Sequence, residues 1–149
     1  MRTFLSLTAR ENVLVGAVYG RGSRGGNVNA IADEALAMVG LTQQQHIVTE
    51  HMTLSARRLL EIARALACQP SLLLLDEPMA GLNESEIERM VEVIKRARGE
   101  RGLSILWVEH KVDAIMKICD RVVVIDHGEK ISDGTPAETV SNTKVIEAY

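Results

Sequence analysis

Short apolar runs alternate along the chain with longer stretches in which apolar residues recur at helical spacing. Four consecutive leucines form the run Leu72–Leu75, and further apolar runs extend from Ser104 to Val108 and from Arg121 to Ile125. Continuous apolar runs of this length are typical of strands buried on both faces of a parallel sheet. The pattern therefore predicts an α/β fold in which these three segments are buried strands.

Helical segments are predicted on both sides of the first strand. The segment from Ser55 to Ala67 is predicted to be one long helix, because its apolar residues fall on one face. A second helix is predicted to begin after Asn83, a favourable N-cap, and to end at Gly99 and Gly102. Its buried stripe has the spacing i, i+3, i+4, i+7 and consists of Ile87, Met90, Val91 and Ile94.

The two ends of the chain are less regular. Thr8 is a suitable cap for a helix that starts near Ala9, although Glu11 to Tyr19 is compatible with helix or strand. A short helix is expected within Lys111 to Cys119. The turn Asp126-His127-Gly128-Glu129 predicts a small hairpin, and Pro136 is expected near the first position of a further helix.

Composition and charge narrow the functional classes. The chain has 149 residues, enough for one domain or part of one, and a net charge of -3, which argues against nucleic acid as a partner. Cys68 and Cys119 are expected to be reduced core residues rather than a disulfide or a metal site. No apolar run approaches the ~20 residues of a membrane span, and no cleavable signal is evident, so a cytoplasmic location is expected.

Two carboxylates directly follow the leucine run. Asp76 and Glu77 stand where the carboxyl end of a parallel strand would place a ligand site. One acid in such a pair can hold a hydrated cation while the other handles a proton, although a solvated acidic turn explains the same residues. Glu109 and His110 end the next strand, so they are expected beside the first pair if the two strands are parallel neighbours.

A glycine-rich segment near the amino end admits a second hypothesis. Gly20 to Gly25 contains the spacing G-x-G-x-x-G and precedes the helical pattern from Val28 to Val39. A dinucleotide-binding site would require Glu11 to Tyr19 to be a strand. No second strand with a ribose-binding acid follows, so a loop between two helices is the preferred interpretation.

Several motifs in order resemble those of the ATP-binding cassette (ABC) ATPases. Leu72–Glu77 looks like Walker B with its catalytic glutamate, Ala80–Asn83 looks like the D-loop, and His110 looks like the switch histidine. The resemblance implies a partial P-loop NTPase-like parallel sheet with flanking helices and an ABC helical subdomain. It divides the incomplete domain into a helical subdomain with the signature helix over about 8–67 and a catalytic core with its tail over 68–149.

The chain departs from the family at two motifs. Counting back from Ile62 aligns the signature L-S-G-G-Q with Met52–Ala56, so that Thr53 keeps a hydroxyl while Leu54 and Ser55 replace glycines. Side chains there are expected to weaken a contact with the opposite subunit's nucleotide. No Gly-Lys pair of a phosphate loop occurs, and the strand that carries this loop is missing from the sheet. The chain alone is therefore expected to bind ATP poorly and to hydrolyse almost none.

The resemblance also assigns roles to individual residues. Asp76 would hold Mg²⁺ through water, Glu77 would polarise the attacking water, and His110 would contact the γ-phosphate of ATP. The predicted nucleotide-binding residues are Thr53, Leu54, Ser55 and Asn83, the last also linking the two sites of a dimer.

The implied partners are transmembrane permease subunits and a second ATPase subunit, identical or different, at the inner face of the cell membrane. The segment from Asp120 onward resembles the ATPases of branched-chain amino acid importers, and urea or amide importers share much of this pattern. A non-catalytic interaction module stays open as an alternative.

A last expectation concerns the strand from Arg121 to Ile125. Without the strand that leads into the phosphate loop, it either pairs with Ser104 to Val108 or has an unpaired inner edge. An unpaired edge promotes association with other chains.

Overall fold

The computed structural model describes residues 3–20 and 26–148, which form two compact units, one ending at Val108 and one beginning at Glu109. The first unit contains helices α1 (Ala9–Tyr19), α2 (Val28–Met38), α3 (Leu54–Ala67) and α4 (Glu84–Arg101), with strands β1 (Leu72–Asp76) and β2 (Ser104–Val108). Two 3₁₀ turns, Thr42–Gln44 and Thr49–His51, precede α3. The second unit contains α5 (Val112–Met116), β3 (Val122–Asp126), β4 (Glu129–Gly134), α6 (Pro136–Val140) and α7 (Thr143–Ala148).

Helix α1 settles the ambiguity of the segment from Glu11 to Tyr19. Thr8 caps the helix, and its side chain and that of Glu11 form a reciprocal capping box that satisfies backbone amides of the first turn. The strand that a dinucleotide fingerprint requires is therefore absent, and that hypothesis is wrong for this segment. Residues 21–25 of the glycine-rich stretch lie outside the described residues.

Helices α1, α2 and α3 pack together through small side chains. A Cβ atom added at Gly16 would lie 2.2 Å from the carbonyl oxygen of Arg64, so only glycine allows α1 and α3 to approach this closely. Ala9, Ala17, Ala63 and Ala67 are fully buried. This close packing explains why a weakly amphipathic helix such as α1 is stable in the fold.

The fully buried side chain of Asn12 organises the start of the chain. Its amide nitrogen donates to the carbonyl oxygens of Phe4 (2.9 Å) and Thr8 (3.1 Å) and to Oγ1 of Thr49 (3.0 Å). Its Oδ1 accepts from the backbone amide of Phe4 at 2.8 Å. The hydroxyl of Thr49 in turn donates to the carbonyl of Leu7. This network joins the stretch from Phe4 to Thr8 and the turn at Thr49 to α1.

Strands β1 and β2 are parallel neighbours, as predicted. Leu72 pairs with Ser104 and Asp76 with Val108. The expectation that they are buried on both faces is wrong, because burial alternates along each strand. Leu73 and Leu75 are buried, whereas Leu74 and Leu106 are 66% and 60% exposed. Only one face of this two-stranded sheet is covered in the described part of the chain.

Helix α4 begins at the predicted cap and ends at the second of the two predicted glycines. Asn83 and Glu86 form a capping box, with Oδ1 of Asn83 accepting from the amide of Glu86 at 3.0 Å. Gly99 lies inside the helix, so the prediction that it ends the helix is wrong. Gly102 is the terminating residue, because its φ of 60° is the left-handed conformation that closes helices.

The second unit contains the predicted hairpin. Strands β3 and β4 are antiparallel, and His127 and Gly128 at the turn both have positive φ, which suits a type I′ turn. Asp133 accepts from Arg121 across this hairpin and from Lys130 of its own strand, and these hydrogen bonds hold the pKa of its carboxyl well below the usual value of 3.8. Pro136 stands at the start of α6, as predicted, and Thr135 is the residue that caps this helix.

Strand β3 pairs with β4 alone within the described residues, so the strands form two separate two-stranded sheets. Its prediction as a fully buried strand is wrong, since Val123 and Ile125 are exposed. Cys68 and Cys119 are both thiols of intermediate burial, so the expectation that they are core residues is wrong. Across residues 3–20 and 26–148, no helix has the length and apolar character needed to cross a membrane.

Candidate functional site

The two acids of the predicted site stand at the carboxyl end of β1. The backbone amide of Glu77 donates to the carbonyl of Val108 at 2.9 Å, which continues the pairing of β1 with β2 one residue past the strand. Asp76 and Glu77 are both solvent-exposed. The parallel ladder thus fixes the backbone of both residues while their carboxylates stay accessible to a ligand.

Glu77 has a backbone conformation that is rare for its residue type. Its φ is 44°, in the left-handed region that side chains with a Cβ disfavour by roughly 1–2 kcal/mol. Asparagine or glycine would adopt this conformation more readily. Strained residues of this kind are concentrated at functional sites, where the surrounding structure holds them in place. The strain is independent support for a functional role of this side chain.

A compact turn connects Glu77 to the next helix. The amide of Ala80 donates to the carbonyl of Glu77 at 3.2 Å, and the amide of Leu82 donates to that of Met79 at 3.1 Å. Gly81 has a φ of 80° at the third position of the turn Met79–Leu82, where type II turns require glycine. Met79 and Leu82 are buried, so their side chains anchor the turn to the first unit.

Asn83 directly follows this turn and caps α4. Besides accepting from Glu86, its Oδ1 accepts from the hydroxyl of Ser85 at 2.8 Å. Its backbone amide donates to Oε2 of Glu86 at 3.0 Å. The capping box therefore orients Asn83, the residue that the resemblance places between the two sites of a dimer.

The signature-like segment lies at the amino end of α3. Thr53 is the N-cap, and its Oγ1 accepts from the amide of Ala56 at 3.2 Å. Leu54 opens the helix and is 45% exposed, and Ser55 follows it. The side chain of Arg57 donates to the carbonyl of buried Met52, which fixes the approach to the cap. The predicted nucleotide-binding residues Thr53, Leu54 and Ser55 thus occupy a helix amino terminus, where backbone amides favour anions.

His110 is found in the second unit, whereas Asp76 and Glu77 belong to the first. Its backbone amide donates to Oε2 of Glu109 at 3.2 Å, and its Nδ1 lies 3.8 Å from the same oxygen. The longer separation becomes an ion pair only when the imidazole is protonated. The grouping of His110 with the two acids stays a prediction.

Asp76 offers the donor type that Mg²⁺ requires. Its exposed carboxylate is held at a strand end, and Mg²⁺ in nucleotide sites commonly takes one or two carboxylates together with phosphate oxygens and water. Within the described ranges, no group of three or more His, Cys, Asp or Glu side chains is arranged as a metal site. Asp76 therefore supplies one oxygen ligand of the kind that Mg²⁺ takes.

Two features of the site were missed in the sequence. The left-handed conformation of Glu77 has no sequence signal, because glutamate is not a residue that predicts positive φ. The turn before Asn83 had a usable signal, since glycine follows Met79-Ala80 at the position where a type II turn needs it.

Comparison with known proteins agrees with these motifs. The family model of the ABC transporters matches residues 1–80. The high-affinity branched-chain amino acid transport ATP-binding protein LivG of Salmonella typhimurium is 38% identical over 114 residues, which is 76% of this chain and 45% of LivG. BraF of Pseudomonas aeruginosa, of the same description, is 34% identical across 100% of this chain and 64% of its own length. The ribose import ATP-binding protein RbsA of Bacillus cereus is 33% identical across 90% of this chain and 28% of RbsA.

Solved structures share the fold. The cbiO1 protein of Clostridium perfringens, part of the ABC transporter complex cbiONQ, superposes with a TM-score of 0.83 at 26% identity, covering 97% of this chain and 57% of that one. The ATP-binding cassette MJ1267 in its ADP conformation has a TM-score of 0.81 at 22% identity, covering 100% of this chain and 67% of its own, and shows the fold alone. The chain spans about half the length of LivG, at 45%. With the family model matching more than half of its residues, the chain belongs to the ABC transporter family.

Proposed function

We propose that this chain is the ATP-binding and ATP-hydrolysing subunit, or part of it, of an ABC importer for branched-chain amino acids. The observation that carries the proposal is the placement of Asp76 and Glu77 at the end of β1, with the amide of Glu77 bound to the carbonyl of Val108. This bond holds two accessible carboxylates in fixed relation at the edge of the sheet where ligands bind.

Glu77 supplies the group that handles a proton in this proposal. A carboxylate within hydrogen-bond reach of water can orient it for attack on phosphorus and accept its proton as the bond forms. The Glu77 side chain is exposed at the end of the strand, and the bond from the amide of Ala80 to its carbonyl holds the backbone there. Asp76 binds the waters of Mg²⁺, which when bound neutralises charge on the transferring phosphoryl group.

The remaining predicted residues act on the nucleotide and on a second subunit. Thr53 and Ser55 present hydroxyls at the amino end of α3, where the helix dipole favours phosphate. Asn83, oriented by its capping box, connects the two halves of an ATPase dimer. His110 contacts the γ-phosphate and senses hydrolysis. Positioning and electrostatics account for most of the catalysis in phosphoryl transfer, so each of these residues acts by placement.

The substrate assignment follows the named relatives. LivG and BraF are both described as branched-chain amino acid transport proteins, and BraF aligns with the whole of this chain. RbsA, described as a ribose import protein, is nearly as similar at 33% identity, so sugar import is the second candidate. The urea and amide importers suggested by the carboxyl-terminal segment are a third.

Partners and location follow from the same proposal. The chain binds transmembrane permease subunits and a second ATPase subunit, and is peripheral at the inner face of the membrane. The cbiO1 protein is described as part of a transporter complex, which supports this arrangement.

Substitution of Glu77 tests the catalytic proposal. In a chain extended at its amino end by the part of an ABC domain that carries the phosphate loop, Glu77→Gln should leave ATP affinity within twofold and reduce turnover by about 10²- to 10⁴-fold, since only the proton-handling group is lost. Glu88→Gln, an exposed glutamate in the middle of α4, is the matched control and should leave turnover unchanged. Calorimetry measures the affinity and phosphate release measures the turnover.

Two results would contradict this account. Unchanged turnover in Glu77→Gln would remove this residue from the chemical step. Micromolar ATP affinity of the 149-residue chain on its own would show that the phosphate loop is not needed for binding.

The two leading substrate classes are separated by a transport assay. The assembled transporter is tested for uptake of radiolabelled leucine and, separately, of radiolabelled ribose.

A further inference from the structure

The side chain of Leu54 lies over Gly81. A Cβ atom added at Gly81 would lie 2.9 Å from Cδ2 of Leu54, which is closer than Cβ atoms approach other groups in proteins. Both residues belong to the first compact unit. Leu54 is 45% exposed, so roughly half of its surface is covered although it is the first residue of a helix. The contact joins the amino end of α3 to the turn that precedes α4.

The turn is anchored by the buried side chains of Met79 and Leu82, and Leu54 adds a contact at its third position. Its closing hydrogen bond runs from the amide of Leu82 to the carbonyl of Met79. Gly81 occupies the position with positive φ, and its missing side chain leaves the space that Leu54 fills. A side chain at position 81 would therefore meet Leu54.

Each partner in this contact is adjacent to a capping residue. Thr53 precedes Leu54 and caps α3, whereas Asn83 follows the turn and caps α4. The direction in which the chain leaves the turn sets the backbone of Asn83. The contact between Leu54 and Gly81 thus connects the two caps across a gap of about thirty residues in sequence.

We propose that Leu54 is a positioning residue that holds the turn Met79–Leu82, and through it Asn83, against the amino end of α3. The proposal rests on the proposed function, in which Thr53 and Asn83 both face a nucleotide site. It gives Leu54 a role that differs from the expectation based on the signature motif. A leucine at this place does more than obstruct a phosphate, because its side chain fixes a neighbouring loop of the same subunit.

Hydrogen exchange of the Leu82 amide in the 149-residue chain measures the effect directly. Leu54→Ala should speed this exchange about fivefold, the change expected when a substitution removes one packing contact. Leu54→Met, which keeps a side chain of similar length, should restore the wild-type rate. The amide of Leu60 in the middle of α3 is the internal control and should exchange at the same rate in all three proteins.

A double-mutant cycle tests whether the two residues act on each other. Gly81→Ala carries the strain of positive φ together with the clash, whereas Gly102→Ala carries only the strain, since nothing lies within 4 Å of a Cβ there. Gly81→Ala should speed exchange at Leu82 in both backgrounds, but the acceleration factor should be at least about twice as large in the wild-type background as in Leu54→Ala. A twofold difference is the lower bound of coupling between residues in contact. Gly102→Ala should have the same effect in both backgrounds.

Three outcomes overturn the proposal: an unchanged Leu82 rate in Leu54→Ala, an equal acceleration at Leu60, or a strictly additive cycle. In the extended protein used for Glu77, Leu54→Ala should lower turnover at least threefold with KM for ATP unchanged, and Leu54→Met should restore it. A changed KM for ATP with unchanged turnover in Leu54→Ala overturns the positioning role. If no variant of the extended protein hydrolyses ATP, the proposed function fails, and the exchange cycle still decides the contact.

Discussion

Replacing Asn12 is predicted to be the most damaging polar substitution in the first unit. The residue is fully buried and its side chain makes four hydrogen bonds of 2.8 to 3.1 Å, to two backbone carbonyls, one hydroxyl and one backbone amide. Asn12→Ala removes all four; the carbonyls of Phe4 and Thr8 keep bonds from the backbone amides of Leu7 and position 12, whereas the amide of Phe4 loses its bond to Oδ1. Each hydrogen bond contributes about 0.5–1.5 kcal/mol net. Because water can reach some of the half-exposed partners, we expect the free energy of unfolding to fall by roughly 3 kcal/mol.

A loss of this size is large against the stability of a small domain, about 5–15 kcal/mol. Urea titration followed by far-ultraviolet circular dichroism measures it, with the expected result being a lower midpoint at an unchanged slope. Asn29→Ala is the matched control, because Asn29 is exposed and accepts one hydrogen bond from Arg10. Asn29→Ala should lower the free energy of unfolding by no more than about 0.5 kcal/mol.

Asn12→Leu separates hydrogen bonding from volume. Leucine fills nearly the same space but offers no donors to the carbonyls of Phe4 and Thr8 and no acceptor to the amide of Phe4. The structure predicts that it destabilises the protein about as much as alanine does. Wild-type stability of Asn12→Leu would refute the reasoning, since it would show that the buried amide contributes by packing alone.

Three further predictions use the same chain. Gly16→Ala should lower the melting temperature by several degrees, because the new Cβ would clash with the carbonyl oxygen of Arg64 in α3. Gly99→Ala, whose Cβ would have nothing within 4 Å, should instead stabilise α4 by about 0.5–1 kcal/mol. Asp133→Asn should destabilise the second unit at neutral pH. Because the pKa of Asp133 is lower in the folded state, its stabilisation is present above pH 3.8 and is lost as the pH falls through the folded pKa. The stabilities of the two proteins should therefore converge in urea titrations at acid pH. Leu74→Ser should reduce self-association in sedimentation velocity by making the open face of the sheet more polar, while Leu73→Ser, at a buried position, should unfold the chain.

The sequence predicted most element types because local signals and the fold agree. The capping residues Thr8, Asn83 and Thr135 begin helices where expected, each with a glutamate three residues later that completes a capping box. The parallel pairing of β1 with β2 was also predictable from two apolar runs that end in polar residues. These signals act over a few residues and need no knowledge of the rest of the molecule.

The failures concern properties that depend on distant parts of the chain. A run of four leucines has the same sequence whether one face or both are covered, so the exposure of Leu74 could not be predicted from it. Gly99 was expected to end α4, yet the helix continues to Arg101 because Ala97 and its buried neighbours are packed. The role of Asn12 was missed because its partners near Phe4 and Thr49 lie in segments without periodicity.

At the site, residue types were predictable and their conformations were not. The identities of Asp76 and Glu77 followed from the motif, but the φ of 44° at Glu77 has no signal in the residue types. The contact between Leu54 and Gly81 likewise depends on how α3 and the turn pack, which no spacing within either segment contains.

The register of β2 gives the protein an internal optical probe. Trp107, the only tryptophan in the chain, pairs with Leu75, the residue immediately before Asp76. Its indole Nε1 is buried and makes no hydrogen bond within residues 3–20 and 26–148. An indole in such surroundings emits at shorter wavelength than one in water and responds to changes in nearby charge. Emission from this one residue therefore follows the packing of the covered face of β1 and β2 without a label.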